Sequence, residues 1–382
     1  MSDLESYLAG FDVEPAYLNW ASFGPLSAAV REEARADEEA SVTGRPSGID
    51  LVAGHVDEAR ALVAEVLEAD VDEVTLVPST TDALFQALFG LSGTVVLSPN
   101  EYPSIPVAAR RAADIRGALT VRELDPAIAS VTPDAVRDAL TDEVTAVAVS
   151  LVDYRTGYLA DLPALREVVG DRLLIVDAIQ GFGVVDVDWA AADVVAGHGY
   201  KWVRAGRGTG FARFSDRARE RIAPVLAGVA GTDAELGDLE VGPPRAGAAA
   251  YAVSRPDPQA AGRLSAALRE MTDAGIPAVA GLVAENARRV MAIADAHGIP
   301  VLTDRDRHAG IVALAPEPGR AGVIAAELAN AGVIATVRDG LIRVSPHAGT
   351  SDAAFDLLEA ALAASQSGPI VSPPAAVLPL LG

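Results

Sequence analysis

The chain has 382 residues, half of them apolar, and its 53 acidic and 30 basic side chains give a formal net charge of −23. That length calls for a large domain plus a smaller one, and the composition is that of a globular protein. The acidic balance argues against nucleic acid or an anionic membrane as partner, and the lack of cysteine excludes disulfides, thiolate metal sites and thiol nucleophiles.

Residues 1–15 have no basic region followed by an apolar run, so no secretory signal is expected. No apolar stretch reaches the length of a membrane span, and the expected location is cytoplasmic. From about residue 60 to 215, helix-like segments alternate with short apolar runs at 74–77, 94–98, 145–152, 173–176 and 193–196. These runs are rich in Val, Leu and Ile without strict alternation, as in strands covered on both faces of a parallel sheet. Segments 82–89 and 162–169 read as the helices between them, an α/β layer pattern. A long amphipathic stretch at 260–296 opens a second region. It continues with a strand at 310–315, a helix at 321–331, a strand at 340–345 and a last helix at 352–364. The expected division is a large domain over 15–255, a smaller α+β domain from 1–14 and 256–365, and a proline-rich tail from 366 to 382.

Three segments carry chemistry-bearing residues. Segment 74–83 is a strand, a hydroxyl-rich turn (Ser79, Thr80, Thr81) and a helix start. A helix N-terminus offers free N–H groups to a phosphate, although hydroxyls there also serve as ordinary N-caps. Asp177 ends the run Leu173–Val176, at the carboxyl end of a strand where ligands of parallel sheets sit. An Asp there also caps turns. Lys201 follows the run 193–196 and precedes the glycine-rich stretch 206–210, which reads as a turn. It is the one lysine among 30 basic residues. A primary amine that can shed its proton and attack a carbonyl is what arginine cannot replace. A phosphate cup, an acid after a central strand and a lone lysine are together the parts that a pyridoxal phosphate site requires. The five histidines include no ligand-spaced pair, so no metal site is expected.

The segments Asp177–Gly181 (D-A-x-Q-G), Val187-Asp188-Trp189 and Tyr200-Lys201-Trp202 running into Gly208–Phe211 (G-T-G-F) resemble the class V aminotransferase family of fold-type I pyridoxal phosphate enzymes. That family includes cysteine desulfurase-like, isopenicillin N epimerase-like and kynureninase proteins. The resemblance extends from Tyr17 to His347. It implies a fold-type I α/β architecture, with a mainly parallel sheet in the large domain, and a homodimer. Lys201 corresponds to the internal aldimine lysine, Asp177 to the partner of the pyridine nitrogen, and Gln180 to the contact with the ring's phenolic oxygen. Thr80 and Thr81 match the phosphate-gripping Thr-Thr, with Ser79 in place of a glycine. Tyr102 stands where a ring stacks on the cofactor. His198 and Tyr200 bracket a phosphate or ring contact. Arg343 matches the arginine for the substrate α-carboxylate, Arg155 is a second substrate candidate or a structural ion pair, and Thr232 lies in a loop that lends a phosphate contact to a neighbouring subunit.

The expected reaction is aminotransfer on an amino acid, through the Lys201 aldimine and a quinonoid. The alternatives are β-elimination by a C–S lyase and kynureninase-like hydrolysis, with a non-catalytic binding protein of the same fold behind them. Cysteine desulfuration lacks its cysteine. The stretch after Val241 also departs from the family's usual Phe-Glu-x-Gly-Thr-Pro pattern, which leaves the substrate open.

Overall fold

The structure, a computed structural model, describes residues 3–233 and 240–366. Its centre is a seven-stranded sheet made of β1 (Val74–Val77), β2 (Gly93–Leu97), β3 (Leu119–Glu123), β4 (Val144–Ser150), β5 (Leu173–Asp177), β6 (Val194–His198) and β7 (Gly210–Phe214). The order is β1-β7-β6-β5-β4-β2-β3. Strands β3, β2, β4, β5 and β6 pair in parallel, whereas β7 runs antiparallel to both β6 and β1. The expected mainly parallel α/β sheet is therefore present. Strand β1, β5 and β6 residues are all buried, which is why these segments read as continuous apolar runs.

Two strands of this sheet were not anticipated. β3 is partly exposed at the sheet edge. β7 emerges directly from the glycine-rich stretch. Gly206 and Gly208 turn the chain at positive φ. Gly210 then enters the sheet so close to β1 that a Cβ would lie 2.7 Å from the Ser79 amide nitrogen.

The stretch at 260–296 is two helices, Pro258–Ala274 and Ile276–Ala296. Gly275, at φ 84°, breaks it, and Pro277 starts the second helix, where its missing N–H costs nothing. The first of these helices packs Leu264, Leu268 and Met271 into the same core as Val63 and Trp202, on one side of the large sheet. The segment just beyond the expected boundary at 255 thus shares the larger core. A separate core gathers Leu18, Val290, Phe355 and Leu358 around a three-stranded sheet of order β8-β10-β9. Its strands are β8 (Val312–Leu314), β9 (Thr336–Arg338) and β10 (Leu341–Val344). Apart from Gln366, the expected tail lies outside the described residues.

The N-terminal segment ties both parts to one place. Leu18 donates to the Ile334 carbonyl at 3.0 Å, Ser345 donates back to Leu18 at 2.8 Å, and Trp20 donates to Ser345 at 3.2 Å. Among the described residues no helix is long and apolar enough to cross a membrane. One cluster of potential metal-ligand atoms exists among them, formed by Glu33, Asp37 and His55. There the His55 ring nitrogens already face Glu58, Asp37 and Glu33, and Arg269 pairs with Glu33 and Glu58.

Candidate active site

Lys201 follows β6 and is only 6% exposed, with its backbone clamped from the N-terminal segment. The Gly24 amide donates to the Tyr200 carbonyl at 2.9 Å. The approach is so close that a Cβ on Gly24 would fall 1.8 Å from the Lys201 carbonyl oxygen. Arg204, buried and at φ 67°, closes the turn and donates to the carbonyls of Pro25 and Gly10. Asp177, 2% exposed, ends β5 and accepts the Ile179 amide at 3.0 Å. The two side chains interact electrostatically. Burial drives the Lys201 amine well below its usual range, with Asp177 opposing and Arg343 and Arg207 reinforcing the shift. Burial raises the Asp177 carboxyl, while the Ile179 N–H and Lys201 hold it back. The result is an amine that reaches its neutral, nucleophilic form much more easily than a solvated lysine.

The turn between β1 and the helix Thr80–Gly90 carries the three hydroxyls. Ser79 caps the helix, accepting the Asp82 amide at 3.3 Å and donating to the Asp82 carboxylate at 2.7 Å. Thr81 Oγ1 lies 2.7 Å from Ser104 Oγ. Thr80 is 4% exposed, and its Oγ1 has no partner among the described residues. A buried hydroxyl without a partner costs free energy, so this one calls for a ligand atom. His198 fixes the turn from behind. Its Nε2 donates to the Pro78 carbonyl at 3.2 Å, and its Nδ1 accepts the Tyr200 amide at 3.1 Å. Burial pushes the ring down to about 4, so it is neutral and its hydrogen bonds define the tautomer. Both nitrogens hydrogen-bond the backbone, and Nδ1 also lies 3.3 Å from Thr209 Oγ1, so His198 holds the turn in place.

Lys201 opens into a cavity of about 530 Å³ that Tyr102, Arg155, Gln180, Tyr200 and Arg343 also line. The Tyr102 and Tyr200 rings lie 6.0 and 5.5 Å from the Lys201 amine. Tyr102 is 44% exposed and packs edge-on against Tyr154. Gln180 donates to the Ala21 carbonyl and accepts the Trp202 indole N–H, both at 3.0 Å, and keeps one amide hydrogen for another acceptor. Arg343 donates to the Tyr154 carbonyl at 2.9 Å and to Ser22 Oγ at 2.7 Å, and its buried Nε has no partner among the described residues. Arg155 pairs with Asp153 at 2.9 Å, again with Nε buried and unpartnered. Arg155 is thus an ion pair that also lines the cavity. Thr232 is not brought to this cavity within one chain, and its hydroxyl donates to the Val229 carbonyl at 3.2 Å.

Sequence reasoning missed several members. Ser22, Tyr154, Thr336 and Arg338 line the cavity. The pair Asp339-Gly340 carried the signal for Arg338. Both residues take positive φ, at 50° and 80°, between β9 and β10, which is the two-residue hairpin geometry that Asp-Gly favours. Glu101 was missed as well. It is buried beside Tyr102 and accepts the Ser150 amide at 3.1 Å and pairs with Ser150 Oγ at 2.5 Å. Ser150 is the register partner of Asp177. Burial raises the Glu101 carboxyl to about 7.

The family description Aminotransferase class-V matches residues 48–342. An uncharacterised aminotransferase of Bacillus subtilis is 32% identical over 149 residues, which are 36% of this chain and 39% of that protein. A kynureninase of Deinococcus radiodurans is 30% identical over 233 residues, 58% of this chain and 55% of its own. The chain thus spans about half or less of the length of these curated relatives. Among solved structures, the cystine C–S lyase C-DES in complex with its product cysteine persulfide superposes with a TM-score of 0.82 at 18% identity, covering 94% of this chain and 99% of that one. The apo cysteine desulfurase of Thermococcus onnurineus gives 0.79 at 18%, covering 90% and 92%. At that identity the structural likeness speaks to the fold alone.

Proposed function

The chain belongs to the class V aminotransferase family, whose members depend on pyridoxal 5'-phosphate, and on that premise we propose that it is an aminotransferase acting at the α-carbon of an amino acid. The observation that carries the reading is the buried, amine-activated Lys201, which lines the cavity and interacts electrostatically with buried Asp177. The residues fit the cofactor. Thr80 offers an orphan buried hydroxyl at a helix start, where the first N–H groups are free for a phosphate. Gln180 has an amide hydrogen left for the ring oxygen, and Tyr102 stands at the cavity wall where a ring can stack.

When bound, pyridoxal phosphate supplies a carbonyl for amines and a ring that withdraws electrons from the carbon next to the bound nitrogen. The chain's own residues do the rest. Asp177 holds a proton at the pyridine nitrogen. Lys201, neutral, would take the proton from the substrate α-carbon and deliver it to the cofactor's carbonyl carbon, the shift that aminotransfer requires. Arg343 holds the α-carboxylate, with its guanidinium oriented by Tyr154 and Ser22. His198 keeps the phosphate turn in register through Pro78.

A second reading, hydrolysis or β-elimination at the same site, is favoured by the kynureninase relative. Desulfuration through an enzyme-bound persulfide has no cysteine to use. Within the proposed reading the protein is a cytoplasmic homodimer, with Thr232 serving the other subunit's phosphate.

The test is the visible absorption of protein supplied with pyridoxal phosphate, before and after amino acids are added. A band that shifts to the pyridoxamine form while keto acid appears supports aminotransfer. Pyruvate with a thiol, or anthranilate, moves the assignment to the second reading. Failure to take up the cofactor, or borohydride trapping that survives in Lys201→Ala, defeats both.

A further inference from the structure

The cavity above Lys201 is cationic in a strongly acidic chain. Arg155, Lys201, Arg338 and Arg343 line it, and Asp339 is its single acidic lining residue, although the chain as a whole carries −23. Each guanidinium stands differently. Arg155 is matched by Asp153. Arg343 hydrogen-bonds only neutral groups, so its charge awaits an anion. Among the described residues Arg338 pairs with Asp339 alone, at 3.3 Å, and both side chains are well exposed, so this pair is weak and easily exchanged.

Strand register puts two of these arginines on the same side. In the β9–β10 hairpin Arg343 pairs with Thr336 and Leu341 with Arg338. Side chains alternate along strands, so Thr336, Arg338, Leu341 and Arg343 share the face that lines the cavity. Arg338 and Arg343 are diagonal neighbours on it, roughly 7 Å apart at their stems. Side chains of that length can hold two anionic groups of one small molecule. Tyr154 and Tyr200 line the same space, and burial raises both phenols, so they stay protonated as donors.

We propose that the substrate of this site is an α-amino acid whose side chain itself ends in a carboxylate or similar oxyanion, with Arg343 taking the α-carboxylate and Arg338 the distal anion. The proposal rests on the amino acid reading given above and adds the specificity residue. Paired guanidinium forks on one hairpin face suit a dianion, whereas a neutral or apolar side chain would leave Arg338 with only its weak, exposed pairing to Asp339.

The experiment is calorimetric titration of the full-length, cofactor-loaded protein with unreactive succinate and with propionate, repeated in Arg338→Ala and Arg338→Lys. Succinate is expected to bind at least tenfold more tightly than propionate. That preference should shrink to about threefold or less in Arg338→Ala and return in part in Arg338→Lys. Equal affinity for the two acids, or a preference untouched by Arg338→Ala, overturns the proposal. A parallel absorption series with aspartate, glutamate, alanine and phenylalanine separates the two layers. If the visible band responds to the neutral amino acids but not to the acidic ones, the amino acid reading stands and the inference falls. If no amino acid moves the band yet succinate binding still requires Arg338, the dianion pocket stands and the amino acid reading falls.

Discussion

Replacing Gly24 by alanine perturbs Lys201 without touching it in sequence. An ideal Cβ on Gly24 would sit 1.8 Å from the Lys201 carbonyl oxygen, 2.9 Å from its carbonyl carbon and 3.3 Å from Arg204 Cα. Real Cβ atoms essentially never come within 3.0 Å of such neighbours, so the two segments must part by at least about 1.2 Å. Both sides of the clash are backbone, so no rotamer relieves it. Overpacking of this kind costs about 1–3 kcal/mol, and the Gly24–Tyr200 hydrogen bond adds about 1 kcal/mol if it breaks. The larger effect falls on chemistry. Moving an attacking group by about 1 Å can cost on the order of a hundredfold in rate. The assay is the rate at which the Lys201-dependent visible band forms on adding pyridoxal phosphate, alongside a urea midpoint. Gly24→Ala should form the band at least tenfold more slowly and unfold at lower urea. Wild-type band formation together with an unchanged midpoint would refute the claim that this contact sets the lysine.

The remaining predictions concern groups that burial has shifted or fixed. In cofactor-free protein, folded Lys201 lies below its unfolded value, so the unfolded chain binds more protons from near neutrality up to about pH 10, and stability should rise with pH across that window. Lys201→Met should lose that rise in urea titrations, and an identical slope in the variant would mean the amine is not desolvated. Glu101 behaves in the opposite sense. Its folded carboxyl is raised to about 7, so its contribution is fully present below the unfolded value and is lost as pH climbs through 7. Glu101→Gln preserves the Ser150 contacts and should be more stable than wild type at neutral pH by roughly 2–3 kcal/mol, with the difference vanishing near pH 4. His198→Ala releases the Pro78 carbonyl and should weaken pyridoxal phosphate binding about tenfold, the effect of some 1.4 kcal/mol of lost positioning; an unchanged dissociation constant would remove its role. Trp202→Phe strands the buried Gln180 carbonyl and should cost about 1–3 kcal/mol in chemical denaturation.

Much of the central sheet was legible because its strands are short, apolar and covered on both faces. The runs at 74–77 and 173–176 fall on β1 and β5 with little displacement. β3 escaped because its partly exposed edge position dilutes the apolar signal. β7 escaped because its glycines look like a loop until the close packing of Gly210 on Ser79 is seen. The site divides along the same line. Lys201, Asp177 and Thr80 are marked locally, each at or just after a strand end or at a helix start, and Gln180 by the D-A-x-Q-G resemblance. Ser22, Gly24, Tyr154, Glu101 and Arg338 could not. Their relevance arises from contacts such as Arg343 to Ser22, which join opposite ends of the chain, and from the pairing register that turns Arg338 toward Lys201's cavity. His198 shows the limit most sharply. Its position near the lysine suggested a cofactor contact, but the partners of its nitrogens are set half locally, by the Tyr200 amide two residues on, and half by tertiary packing, which brings up the Pro78 carbonyl.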